Sequence, residues 1–153
     1  MGDEAARIVS LRGLKVLFLS IDADPSDGPW ADKVRSLVRE RLREADIAIS
    51  EEESVVHVQG AAMLAVTARA DLMFDQGPGI YLLSVTVEVN QFARLPSIEC
   101  LVISWQTGAG GIGFRETYHG LLMEAVTDRL DFFIGAYRQA NGPAYAEFGR
   151  PTS

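Results

Sequence analysis

Residues with dedicated chemistry are scarce in this chain. Its single cysteine, Cys100, has no partner for a disulfide and stands in the apolar run Cys100, Leu101, Val102, Ile103, where a thiol acts as a small buried hydrophobe. Only two histidines are present, His57 and His119, and neither is near Cys100 in sequence to activate it. With no Cys/His cluster, the ligand set of a zinc site is missing, so no metal and no cofactor is assigned and both histidines read as surface or hydrogen-bonded structural residues. Basic residues are outnumbered: 14 Lys and Arg against 21 Asp and Glu give a net charge of −7, which excludes the basic footprint of a nucleic-acid binder. No apolar run reaches the roughly 18 residues of a membrane span. No Gly-x-Ser-x-Gly elbow or spaced triad is present, so the reading leans away from an enzyme.

What the chain does have is apolar content in regular patterns. At 153 residues and 48% hydrophobic, it suits one domain that buries about two-thirds of its unfolded surface. Residues 14–21 read as a buried strand. A helix is expected over 29–45, with Trp30, Val34, Leu37, Val38, Leu42 and Ala45 at helical spacing, Pro29 in the first turn and Asp27 or Gly28 as cap. A brief strand at 47–49 and a second piece at 55–58 follow. From Met63 the chain alternates, with Leu64, Val66, Ala68, Ala70 and Leu72 on one side and Thr67, Arg69 and Asp71 on the other. After a turn at 76–79, Tyr81, Leu83, Val85, Val87 and Val89 alternate with Ser84, Thr86, Glu88 and Asn90 over a strand at 80–92. A last strand at 98–107 carries Leu101, Ile103 and Trp105, and a closing helix spans 116–140 before the stop signal Asn141, Gly142, Pro143. The expected fold is an α+β two-layer sandwich in β-α-β-β-β-α order. It has a mostly antiparallel sheet of four to five strands with two helices on one face. Residues 1–142 form the domain; 143–153 form a loose tail, with Tyr145 and Phe148 as anchors.

The run Gly108, Ala109, Gly110, Gly111, Ile112, Gly113 matches G-x-G-x-x-G as text, but a dinucleotide site needs a further parallel strand with an acidic residue, and only a helix and a tail follow. Read as a strand-to-helix loop, Gly108, Gly110, Gly111 and Gly113 with Arg115 and Trp105 form a candidate site for a phosphate, a carboxylate or another small ligand. Asp22, Asp24 and Asp27 fail the calcium-loop spacing, since Pro25 and Lys33 occupy ligand-loop positions. Asp22 and Asp24 resemble the Asp-x-Asp of haloacid-dehalogenase-like phosphotransferases, but that family expects a downstream lysine, and the only lysines are Lys15 and Lys33; turn formation and capping account for the aspartates. On the first helix, Lys33, Arg35, Arg39, Arg41 and Arg43 alternate with Asp32, Glu40 and Glu44. Like-charged i,i+4 pairs such as Glu40 with Glu44 predict rows of one sign on a solvated face.

Three segments, VRERLREADI at 38–47, YLLSVTVEVNQ at 81–91 and SWQTGAGGIG at 104–113 before a long terminal helix, resemble small exported bacterial α+β proteins of uncharacterised function. The strand and helix order is also similar to lipopolysaccharide-assembly lipoproteins and to the amino-terminal domain of the TolB translocation protein. The resemblance implies an envelope-associated binding or assembly module, periplasmic or exported after removal of a leader, although no leader or lipobox cysteine is visible and a cytoplasmic chain would open the same way. It transfers no catalytic residue. The expected partner is another protein or a second copy. It would meet the polar sheet face at Thr67, Arg69, Ser84, Thr86, Glu88 and Asn90, by face packing or by strand addition. The alternative is small-ligand or anion binding, or an enzyme, at the glycine run.

Overall fold

The computed structural model describes residues 7–24, 29–94 and 96–142. In chain order these form β1 (Val16–Asp24), α1 (Pro29–Glu44), β2 (Ala48–Ser50), a 3-10 turn (Glu53–His57), β3 (Ala61–Phe74), β4 (Ile80–Arg94), β5 (Glu99–Phe114) and α2 (Tyr118–Asn141). The strands make one sheet in the order β2-β1-β3-β4-β5. The α+β two-layer sandwich read from the sequence is the architecture observed. Most of the pairing is antiparallel, in the meander β3-β4-β5, while β2, β1 and β3 run parallel. The parallel part follows from α1, because a helical crossover returns the chain to the same end of the sheet. The expected capping residues Asp27 and Gly28, and the tail with Tyr145 and Phe148, lie outside the described residues.

Both helices cover the same face. α1 buries Trp30, Val34, Val38 and Leu42 against β1 and β2, and α2 buries Leu122, Val126, Leu130 and Phe133 against β3, β4 and β5. The sheet answers with Leu17, Leu64, Val66, Ala68, Val85, Val87 and Val89, all buried by the period-two rule. At β5 this row continues as Trp105, Thr107, Ala109, Gly111 and Gly113. α1 ends through Asp46 at φ 58°, with the Ile47 amide donating to the Leu42 carbonyl at 3.0 Å and the Asp46 amide to the Arg43 carbonyl at 3.0 Å. This is a left-handed C-terminal motif in which aspartate stands where glycine is usual.

Polar contacts lock the layers together. Arg41 Nη2 on α1 reaches both carboxylate oxygens of Asp131 on α2, at 2.8 and 2.6 Å. At the far end of α2 the Tyr137 hydroxyl donates to the Leu14 carbonyl at 2.9 Å, and burial pushes this phenol above its ordinary pKa. Asn141 receives the Gly13 amide and donates to the Leu11 carbonyl. The rows of like charge expected on α1 are broken up by pairing. Arg35 meets Asp32 one turn away, and Arg39 reaches off the helix to form two hydrogen bonds with Glu51. Those bonds hold the Glu51 carboxyl below its usual range.

Four expectations differ. Asp22 and Asp24, read as turn and cap residues, are strand residues, because β1 runs on to Asp24 with Asp22 opposite Thr67 and Asp24 opposite Arg69 of β3. Residues 55–58 are not a strand. Both sides of β1 are already taken by β2 and β3, so the segment turns as a 3-10 helix and sends only Val56 inward. Cys100 is half-buried rather than in the core. The glycine run is not a loop at the start of the last helix. Residues 108–113 are the second half of β5, each in register with β4, and α2 begins only after a turn at 115–117.

Candidate functional site

The face of the sheet turned away from the helices is laid out by register. Four strands contribute to each central row: Asp22, Thr67, Thr86 and Gly108 make one, and Asp24, Arg69, Ser84 and Gly110 the next. The neighbouring rows bring in Glu88 beside Ala65 and Gln106, and Asn90 between Met63 and Ile103. All six polar residues singled out in β3 and β4, Thr67, Arg69, Ser84, Thr86, Glu88 and Asn90, therefore share this face. Asn90 is buried on it and the others are partly or fully exposed. Arg69 lies 3.9 Å from Asp24 and 3.8 Å from Asp71, so its charge is balanced by carboxylates on both sides.

The sequence reading missed that the polar centre is flanked by apolar ends. At one end, register aligns Leu82 with Ile112 and joins Phe74, Ile80 and Phe114 in one row. Phe74 is 64% exposed and Ile112 66% exposed. At the other end lie Met63, Phe92, Leu101 and Ile103, partly roofed by the 3-10 turn, whose His57 ring sits 4.2 Å from the Phe92 ring with Nδ1 3.7 Å from Glu99. The signal for the first patch was present: Leu82 has the same parity as Ser84 and Thr86. The second depends on a β-bulge, because Val89 pairs with Trp105 but Asn90 pairs with Ile103, leaving Ser104 as the extra residue. Ser104 is tied down there, donating to the Val89 carbonyl and receiving Gln91 Nε2, which also donates to the Ser10 carbonyl. The bulge turns Leu101 and Ile103 to the outer face while Trp105 stays under α2.

The residues proposed for an anion are spread apart. Trp105 is buried between β5 and α2, 5.4 Å from the Phe133 ring. Arg115, about ten strand residues or ~33 Å further on, donates to the Asp75 carboxylate at 2.8 Å and carbonyl at 3.0 Å. Gly113 is a contact point for helix packing: a Cβ there would stand 2.9 Å from Tyr118 Cβ. Gly110 and Gly111 border a crevice closed by Leu83, Leu121, Leu122 and Ala125, which is apolar. His119 stacks on Trp30 at 5.0 Å and 22°, and Tyr118 stacks on Tyr81 at 4.1 Å and 14°. Those contacts fasten the first turn of α2 to α1 and β4. Among the described residues no group of three or more His, Cys, Asp or Glu side chains is placed to hold a metal ion, and no helix is long and apolar enough to cross a membrane.

No protein-family model matches the chain, and no curated protein sequence does. Solved structures with a similar fold include bacterial lipoproteins. A minor lipoprotein from Acinetobacter baumannii matches at 14% identity and TM-score 0.45, over 82% of this chain and 91% of that one. The PelC dodecamer from Paraburkholderia phytofirmans matches at 17% identity and TM-score 0.47, over 79% and 88%. The hypothetical protein CT253 from Chlamydia trachomatis matches at 10% identity and TM-score 0.50, over 81% of this chain and 98% of that one, which establishes a shared fold.

Proposed function

We propose that this domain is a non-enzymatic interaction module of a bacterial envelope assembly, and that its open sheet face receives another protein. The observation that carries the reading is that face itself: a polar, acidic centre, where Arg69 stands among Asp22, Asp24, Asp71 and Glu88, between two exposed apolar ends, on a sheet whose other side is covered by helices over β1, β3 and β4. Clusters of exposed apolar side chains beside polar groups, as at each end of this face, mark protein-binding surfaces. Arg69 is balanced by Asp24 and Asp71, which suits a protein surface better than a phosphate-rich one. The envelope setting follows from the sequence resemblance, and fractionation of producing cells tests it directly.

The test of the face is site-specific photocross-linking in producing cells. A photoreactive residue at Thr86 is expected to trap a discrete protein adduct. The same residue at Ser36, on the exposed side of α1, is expected to trap none. Arg69→Glu with Glu88→Arg should abolish the Thr86 adduct while leaving the thermal melt within a few degrees. An adduct that forms equally from Ser36, or survives the double charge reversal, would remove this face from the function.

A further inference from the structure

The two edges of the sheet are built differently. β2 is three residues long and runs into Glu51, Glu52 and Glu53, so it offers little to a partner strand. β5 is sixteen residues long and, among the described residues, paired only with β4. Between Cys100 and Phe114 it has no charged residue and no proline, in a chain that is 23% charged. Edges of soluble proteins are normally short, charged, proline-bearing, bulged or covered, because a long uncharged edge recruits further strands, and beyond the bulge at Ser104 residues 105–114 carry neither charge nor proline. Exposed apolar side chains line this one in both layers: Ile103 and Ile112 in the sheet, and Leu121 and Phe132 on α2 beside it.

We propose that β5 pairs antiparallel with β5 of a second copy about a two-fold axis near Thr107, joining the two sheets into one. Three observations select this occupant. Pairing of β5 with β2 of another copy is limited to three residues, so strand addition between copies has only β5 to use, and a strand meeting its own copy about a two-fold axis runs antiparallel. The strand is also divided by volume: Leu101, Val102, Ile103 and Trp105 fill its first half, and Gly108, Gly110, Gly111 and Gly113 its second. Antiparallel pairing about Thr107, with the bulged Ser104 left out of register, sets Trp105 opposite Ala109, Ile103 opposite Gly110 and Val102 opposite Gly111, each pair on one face of the joined sheet. Finally, the strand is bounded by Glu99 and Arg115, and this arrangement brings charges of opposite sign together at each end of the uncharged stretch 100–114. Arg115 keeps its contact with Asp75 throughout.

This inference goes beyond the partner of the open face, and its test separates the two. Sedimentation of the full chain over a concentration series is expected to show a monomer-dimer equilibrium. Ile112→Lys and Ile103→Lys, at exposed edge positions, each put a charge in the seam and should raise the dimer dissociation constant by roughly tenfold or more. Arg69→Glu, on the open face, should leave it unchanged. Hydrogen exchange on the unmodified chain gives a second measure: amides of residues 100–114 should gain protection with concentration while those of β2 do not. A monomer at every concentration, an assembly that survives both lysine substitutions, dimer loss from Arg69→Glu, or concentration-dependent protection confined to residues outside β5 would each overturn the proposal.

Discussion

Two glycines on the same side of β5, two residues apart, should respond oppositely to alanine. At Gly113 the added Cβ stands 2.9 Å from Tyr118 Cβ, 3.1 Å from Tyr118 Cα and 3.1 Å from Leu83 Cδ1. Carbon atoms pack at about 3.5–4.0 Å, so either α2 lifts or β5 sinks by roughly half an ångström. Tyr118 has little freedom to yield, since its ring is stacked on Tyr81 at 4.1 Å and both it and Leu83 are buried. Overpacking of this kind costs about 1–3 kcal/mol, offset by about 0.4–1 kcal/mol because alanine restricts the unfolded chain. A net loss of about 1–2 kcal/mol lowers Tm by about 2–8 °C in a domain of this size. At Gly111 the added Cβ meets nothing within 4 Å, and φ is not positive, so only the unfolded-state term remains. Gly111→Ala should therefore raise Tm by about 1–4 °C. Thermal melts and urea titrations of both variants, at a protein concentration low enough to keep the chain monomeric, read the difference. If the two shift Tm in the same direction, or if Gly113→Ala is silent, residues 108–113 do not form an ordered strand under the first turn of α2.

Two further outcomes follow from titrating groups. Tyr137 has its pKa raised by burial, so the folded state holds the phenolic proton more tightly than the unfolded chain. The stability this contributes is complete below a pH of about 10 and is lost as pH rises through the folded pKa. Tyr137→Phe should flatten that alkaline loss and cost about 0.5–1.5 kcal/mol near neutrality through the missing bond to Leu14; an unchanged alkaline profile would remove Tyr137 as its source. Glu51 has its pKa lowered by hydrogen bonds from Arg39, so its contribution is present above the ordinary glutamate range and disappears as pH falls through the depressed value. Carboxyl NMR titration should place Glu51 below the ordinary glutamate value, and Arg39→Ala should return it toward that value; a midpoint that does not move would contradict the pairing.

How far the sequence carried depended on whether the deciding contacts were local. α1 was legible because Trp30, Val34, Val38 and Leu42 repeat at helical spacing, and the helix observed, Pro29–Glu44, stops one residue before the expected end. β3 and β4 were legible by alternation, and with them the shared face of Thr67, Arg69, Ser84, Thr86, Glu88 and Asn90. The segment at 55–58 was not, because its valines are strand-like and only the prior occupation of both sides of β1 keeps it out of the sheet. The bulge at Ser104 was also hidden. A single extra residue reverses the parity of everything before it, and its support comes from Gln91 and Ser10, far away in sequence.

The second half of β5 shows most clearly where local reading stops. Glycine has no side chain to show periodicity and weakens a strand interior, so residues 108–113 read as punctuation. What makes them a strand is the long-range pairing with residues 81–86. The glycines do not all answer to the same need. Gly113 is required by Tyr118, and at Gly108 a Cβ would stand 3.2 Å from the Val85 carbonyl oxygen. Within one copy of the fold nothing demands glycine at 110, where a Cβ would make an ordinary 3.5 Å contact, or at 111, where it would meet nothing within 4 Å. Stability of the isolated fold would favour side chains at both positions, especially on an edge strand held from one side only. A second β5 supplies the missing reason, since with the Ser104 bulge left out of register its Ile103 comes opposite Gly110 and its Val102 opposite Gly111. The residues that made the strand hardest to read are thus the ones that make its open edge complementary to itself.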